Sequence, residues 1–260
     1  MNTISHLEWQ EWSYNNLAHA RELAKKTSNY SAHDIQQALT TACLKNCQNQ
    51  PPYPWQLDSA EAFLLGLDCT IVAGTGSGKS LPFVMPSMIH PDKILVVISP
   101  LNSLKSDQAR RCASMGITAV AVNHGTYTLH LHEELVEQKY QIIFMSPEMA
   151  ISNCQFNSLL CSPEYHAHML GVVIDKDHCI VQWGGQFRPA YAKLDKLRSF
   201  VPTHIPLYVT SATMMPDVVA EVCRQLHIDP LKSFHINLGN DRKNIYQQRI
   251  WSAHYYSSTR

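Results

Sequence analysis

The chain has 260 residues, 45% hydrophobic and only 16% charged, enough apolar material for a sizeable core and the wrong composition for a globally disordered protein. Lys and Arg number 21, as do Asp and Glu, so the formal charge is zero with a pI near 7.2. That excludes a polybasic, histone-like nucleic-acid binder and leaves any such contact to local placement of cations and aromatics.

No run of 18 apolar residues occurs, and Met1–Glu8 has neither a basic start nor an apolar core, so a soluble intracellular protein without membrane contact is expected. Cysteines at 43, 47, 69, 112, 154, 161, 179 and 223 form no Cys-x-x-Cys pair and read as reduced thiols packed as small hydrophobes. Cys154, Cys161, His166 and His168 come nearest to ligand spacing, but the fourteen histidines are dispersed and no zinc site is expected.

Residues 1–50 are polar and helical in character. Ser31 with Asp34 resembles a capping box with Asp in place of Glu, predicting a helix that starts there and runs toward Cys43. Pro51-Pro52-Tyr53-Pro54 breaks the pattern and marks a boundary. Beyond Asp68, short Val/Ile-rich runs recur with helix-length spacers: Thr70–Ala73, Ile94–Ser99, Ala119–Asn123, Ile142–Met145, Gly171–Asp175 and Leu207–Thr210. They predict βαβ units and a parallel sheet buried on both faces. In such sheets ligands bind beyond the carboxyl ends of the strands, and the chemically informative residues fall there.

The first run feeds Ala73-Gly74-Thr75-Gly76-Ser77-Gly78-Lys79-Ser80. A nucleotide triphosphate needs closely approaching backbone N–H groups, a cation for its β/γ oxygens and a hydroxyl for Mg²⁺. The loop supplies its glycines, Lys79 and Ser80 in those places. The general pattern asks for Gly where Ala73 stands, and the Ala-containing form resembles that of superfamily 2 helicases. A second run ends at Val173-Ile174-Asp175, placing an acid across the sheet from the loop, as Mg²⁺ coordination through water requires. A strand-end Asp alone is often a helix cap, so the residues that follow carry the distinction.

Asp175-Lys176-Asp177-His178 and the stretch through Gln182-Trp183-Gly184 resemble the D-E-x-H box and aromatic-rich loop of RecQ-family DNA helicases. Pro52-Tyr53-Pro54-Trp55-Gln56 resembles that family's adenine-reading segment, with Gln56 standing 23 residues before Lys79 and Tyr53 replacing an arginine while keeping a ring that can stack. Ser99 to Gln108, Ser146-Pro147-Glu148, Thr210-Ser211-Ala212-Thr213 and Asp241 to Ile245 resemble further family segments in the right order. The resemblance covers roughly residues 50–246. It implies a P-loop NTPase (RecA-like) α/β fold and an ATP- and Mg²⁺-dependent 3′-to-5′ DNA helicase, a hydrolase and isomerase of DNA repair and recombination.

On this resemblance Tyr53, Gln56 and Gly74 through Ser80 bind nucleotide. Lys79, Asp175, the position of Lys176 and His178 serve catalysis, and Ser80 and Asp175 hold Mg²⁺. Gln182, Trp183, Phe187, Arg188, Ser211 and Thr213 couple DNA to the ATP site, an Arg and two aromatics being able to stack on unpaired bases. The implied partners are single-stranded DNA or a single/double-strand junction, a second helicase lobe and other repair proteins. Nuclear residence is implied by the resemblance alone, with the cytoplasm as the alternative.

The largest departure is Lys176. The family places Glu there to position and deprotonate the attacking water, work worth roughly 10²–10⁴-fold in rate; an ammonium is a donor only. Lys105 for Met, Gly185, Gln186 and Ala190 in the aromatic loop, and Lys243 for Pro are smaller departures. Two readings stay open: the ATP-binding lobe of a RecQ-like helicase, and a catalytically degraded ATP- and DNA-binding module with slow or absent hydrolysis. A small-molecule kinase would explain neither Gln56 nor the Ser-Ala-Thr segment. The expected organisation is a helical segment over 1–50, one RecA-like lobe over 51–246 and a tail over 247–260, with no second lobe.

Overall fold

In a computed structural model, residues 6–99, 102–175 and 191–239 are described. Among them seven strands form one parallel sheet: β1 (Cys69–Val72), β2 (Ile94–Ile98), β3 (Ala119–Val122), β4 (Ile142–Met145), β5 (Met169–Asp175), β6 (Leu207–Ser211) and β7 (Phe234–Asn237). Their spatial order is β3-β4-β2-β5-β6-β1-β7. All six predicted strands are present with ends unchanged or moved by at most two residues, and the α/β class with an N-terminal helical extension holds. The seventh strand has no counterpart in the expected set. Phe-His-Ile-Asn is short and mixes apolar with polar residues, and it becomes a strand by pairing with β1 from Cys69↔Phe234 to Val72↔Asn237.

The central strands read as continuous apolar runs because helices cover both faces. On one face Ile71, Val97, Val173 and Tyr208 meet Phe63 of α3 (Pro54–Leu64), Phe83 and Val84 of α4 (Leu81–Ile89) and Cys112 of α5 (Asn102–Ser114). On the other, Val72, Ile98, Ile174 and Val209 meet α6 (Leu129–Val136), α7 (Pro147–Ser152), α8 (Cys154–Leu160), α9 (Pro163–His168) and the helix Pro216–Gln225. The succession α7–α9 follows from local chemistry. Ser146, Asn153 and Ser162 each accept the N–H three residues on, satisfying an orphan donor of the next turn, and a proline follows two of these caps.

The α3 packing is close. A Cβ on Gly171 of β5 would lie 2.3 Å from Phe63 Cζ, so only glycine admits the ring there. Asp68, just before β1, receives both terminal contacts of the Arg198 Nη2 group at 2.8 and 2.9 Å and the Leu207 N–H at 2.7 Å, tying the starts of β1 and β6 together.

The N-terminal helices α1 (His6–Thr27) and α2 (Ala32–Asn46) pack onto this body. Ser31 Oγ accepts the Asp34 N–H at 3.3 Å, the predicted cap, and α2 runs three residues beyond Cys43. Helix α1 lies along β7, whose His235 N–H donates to Ser13 Oγ at 2.7 Å while Asn16 Nδ2 donates to Ser233 O. An edge strand's unpaired groups invite association with another chain; here a helix covers them. No helix among the described residues is long and apolar enough to cross a membrane.

Candidate functional site

The phosphate-type loop starts where β1 stops. Ala73 is buried and its N–H donates to Ser211 O at 3.0 Å, so it prolongs the β1–β6 ladder. Its φ is not positive, whereas Gly76 and Gly78 adopt φ +86° and +78°. Ala is therefore tolerated where the general pattern has Gly, and the left-handed conformations fall on residues able to adopt them. The loop closes through Ser77 N–H to Gly74 O and Leu81 N–H to Gly78 O. Lys79 is half-buried and Ser80 exposed. Ser80 stands at the N-terminus of α4, yet its hydroxyl makes no capping bond, which leaves it available to a ligand at the positive end of the helix dipole.

Gln56 is buried and reaches this loop from α3. Its Oε1 accepts the Tyr53 N–H at 2.8 Å, and its Nε2 donates to Gly78 O at 3.0 Å and more weakly to Ser77 O at 3.4 Å. One side chain thus caps α3 and pins the loop. Tyr53, at the start of α3, is 62% exposed, and its ring is open to a stacking partner.

Across the sheet, Asp175 ends β5, buried and in register with Thr210 of β6. Gln108 Nε2 of α5 approaches Asp175 Oδ2 at 3.5 Å. The neutral donor gives Asp175 a preferred orientation without adding charge. Gln108 lies in the Ser99–Gln108 segment that resembles the RecQ family, but nothing local in the sequence aims it at Asp175. Ser211 ends β6, buried, with Oγ donating to Thr213 O at 3.3 Å, and Thr213 is exposed. The structure therefore gathers Tyr53, Gln56, residues 74–80, Asp175, Ser211 and Thr213 at the carboxyl edge of the sheet. Lys176, His178, Gln182, Trp183, Phe187 and Arg188 lie outside the described residues.

A cleft of about 660 Å³ lies elsewhere, at the amino edge of the sheet between α1, the end of α3, His90 and Lys232. It contains none of the gathered groups, which all lie at the carboxyl edge. His166 Nε2 is engaged with the Leu160 and Phe200 carbonyls, and no group of three metal-ligating side chains occurs among the described residues.

A phosphate-type loop feeding a helix, opposite a strand-end Asp in a parallel sheet, is matched by the sequence model of the DEAD/DEAH box helicases over residues 53–222. The chain belongs to the DEAD/DEAH box helicase family. Its curated relatives include "ATP-dependent DNA helicase RecQ" of Pasteurella multocida, 33% identical over 73% of this chain and 29% of that protein. "ATP-dependent DNA helicase Q-like SIM" of Arabidopsis thaliana is 31% identical over 67% and 21%. "RecQ-like DNA helicase BLM" of Xenopus laevis is 30% identical over 72% and 14%. The chain thus spans under a third of the length of these relatives. Among solved structures, the DUF1998 helicase MrfA superposes with a TM-score of 0.55 at 19% identity over 78% of this chain and 32% of that one, a likeness of fold.

Proposed function

We propose that this helicase domain is the ATP-binding lobe of a RecQ-like 3′-to-5′ DNA helicase, with residues 51–246 as the lobe and residues 1–50 as its helical buttress. The observation that carries the reading is the juxtaposition of the loop 74–80, fed by β1 and opening α4, with Asp175 two strands away in the sheet. In this reading Lys79 takes the β/γ-phosphate oxygens and the loop N–H groups cradle the others. The uncapped Ser80 hydroxyl and the Asp175 carboxylate would hold Mg²⁺, which when bound neutralises charge on the phosphates.

Tyr53 stacks on the base, and Gln56 reads adenine. The Oε1 atom keeps a lone pair for the N6 donor, whereas pairing with N7 requires Nε2 to release Ser77 or Gly78. Nucleotide entry is thereby linked to the loop conformation. Ser211 and Thr213, with Gln182, Trp183, Phe187 and Arg188, contact single-stranded or junction DNA and report its occupancy to the ATP site. A second lobe closing on ATP is needed for translocation, and repair proteins and a nuclear setting accompany the assignment by family.

Lys176 favours a second reading, in which ATP and DNA are bound but hydrolysis is degraded. A binding titration with a labelled ATP analogue, with and without single-stranded DNA, tests the common part. DNA-stimulated phosphate release separates the readings. The chain should retain nucleotide yet turn over slowly, and Lys176→Glu should raise turnover by roughly 10²–10⁴-fold. Ordinary helicase turnover in the unaltered chain overturns the degraded reading.

A further inference from the structure

Three polar side chains surround Asp175 without a task in the scheme above. Thr210 pairs in register with Asp175, and Ser99 follows the Ile98↔Ile174 pair by one residue and continues the ladder through its N–H to Met145 O. Ser99, Asp175 and Thr210 therefore form one row across the adjacent strands β2, β5 and β6. Side chains two residues apart in a strand share a face. The preceding row, Val97, Val173 and Tyr208, lies on the face covered by α3, α4 and α5. The polar row consequently lies on the same side as α4, the helix opened by Ser80, and α5 adds Gln108 from above.

Ser99 and Thr210 are both 0% exposed. Ser99 Oγ, Thr210 Oγ1 and Gln108 Oε1 are buried with no hydrogen-bond partner among the described residues. A buried polar atom left unpaired costs stability, and native proteins keep few of them. Val would fill the volume of Thr210 without that cost. All three orphan atoms can accept a hydrogen bond, none carries a charge, and they belong to side chains that flank Asp175 from β2, β6 and α5. That set suits water bound to a cation better than a bare cation. Mg²⁺ sheds its hydration shell reluctantly and keeps several waters, each a polarised donor whose outward protons need acceptors.

The geometry points to an outer seat for a hydrated divalent cation, in which Ser99 Oγ, Gln108 Oε1 and Thr210 Oγ1 accept hydrogen bonds from cation-bound water beside Asp175. This rests on the reading of the loop as an ATP–Mg²⁺ site. The three are positioning residues: they hold water, which holds the cation in register with Asp175 and the phosphates.

The test is a titration of Mg²⁺ into the full chain at fixed concentration of a fluorescent, non-hydrolysable ATP analogue, with melting temperature measured on each variant. Thr210→Val and Ser99→Ala/Thr210→Val should raise the Mg²⁺ midpoint for nucleotide retention by about tenfold, the scale on which outer-shell partners tune metal sites. Nucleotide affinity without Mg²⁺ should stay unchanged, and the melting temperature of the nucleotide-free chain should not fall. Thr210→Ser, which keeps the hydroxyl, should restore the midpoint. Tyr165→Phe removes another orphan hydroxyl, one in the opposite core layer, and should leave it unmoved. An unaltered chain that binds nucleotide with Mg²⁺, together with a double variant of the same midpoint, overturns the inference and spares the ATP-site reading. An unaltered chain that binds no nucleotide at any Mg²⁺ concentration overturns both.

Discussion

Gly78 sits where two constraints coincide. Its φ of +78° is one that side chains rarely adopt, and an added Cβ would lie 2.6 Å from Gln56 Nε2. The left-handed conformation alone costs a non-glycine residue roughly 1–2 kcal/mol, and the clash adds to it or displaces the amide that pins the loop. Gly78→Ala should therefore lower stability in a thermal or urea melt and weaken binding of an ATP analogue. Gln56→Ala removes the clash but not the φ penalty. The double variant should accordingly be less damaged than the sum of the singles, with a coupling of about 0.5–3 kcal/mol. Strict additivity in that cycle would show that Gln56 does not press on the loop. The sequence marks both the glycine pattern and Gln56 as candidate nucleotide-binding positions. It does not mark their contact with each other, because that depends on how α3 lies on the sheet.

Glu61 of α3 ties α1 and α2 to that helix, beside the apolar contacts of Leu39 and Cys43 with Ala60. This carboxylate is fully buried and accepts Arg21 Nε and Nη2 at 2.8 and 2.6 Å, Gln36 Nε2 at 2.7 Å and the Tyr30 hydroxyl. Burial by itself would raise the Glu61 carboxyl; the hydrogen bonds from Arg21, Tyr30 and Gln36 outweigh it and hold the group below its ordinary value. Breaking a buried pair costs about 3–5 kcal/mol, and Arg21 is partly exposed at 28%, so Glu61→Gln should sit near the low end of that range. A carboxyl whose folded value is depressed contributes stability that is complete above its unfolded value, near ~4.3, and is lost as pH falls through the folded one. The stability gap between the chain and Glu61→Gln should thus stay constant from about pH 7 to about pH 5 and narrow below. Asp58 nearby is displaced upward, burial being the main cause, so the comparison is best made on an Asp58→Asn background. A gap independent of pH in acid would refute the assignment. Of this clamp the sequence offered only the helical character of residues 1–50. Arg21, Tyr30, Gln36 and Glu61 carry no motif, and their meeting depends on three helices folding together.

For the whole molecule, the formal charge is zero and the chain spans 29% or less of the three relatives compared. On the proposed reading, a single lobe would present part of a DNA path, with local cations in place of a strong field. Each phosphate contact on single-stranded DNA contributes about −0.7 to the slope of log K against log salt. Anisotropy titrations of single-stranded DNA between about 50 and 200 mM salt should give a slope no steeper than about −2, or three contacts. A slope matching six or more contacts would mean that this chain builds a complete channel.

Read from residues alone, the chain already declared its parallel α/β sheet and its helicase kinship, and set the loop 73–80 and Asp175 at strand ends. These are local signals, namely apolar runs of strand length and short motifs whose spacing is set by one turn or one strand end. What folding added depends on separations that local pattern does not encode. β7 exists through its pairing with β1, α1 covers that edge through Ser13 and Asn16, and Asp68 finds Arg198 130 residues away. The row Ser99–Asp175–Thr210 belongs to the same class. Three strand ends from distant parts of the chain share a level because the β2-β5-β6 register places them there, and their unpaired hydroxyls acquire meaning only once that register is formed.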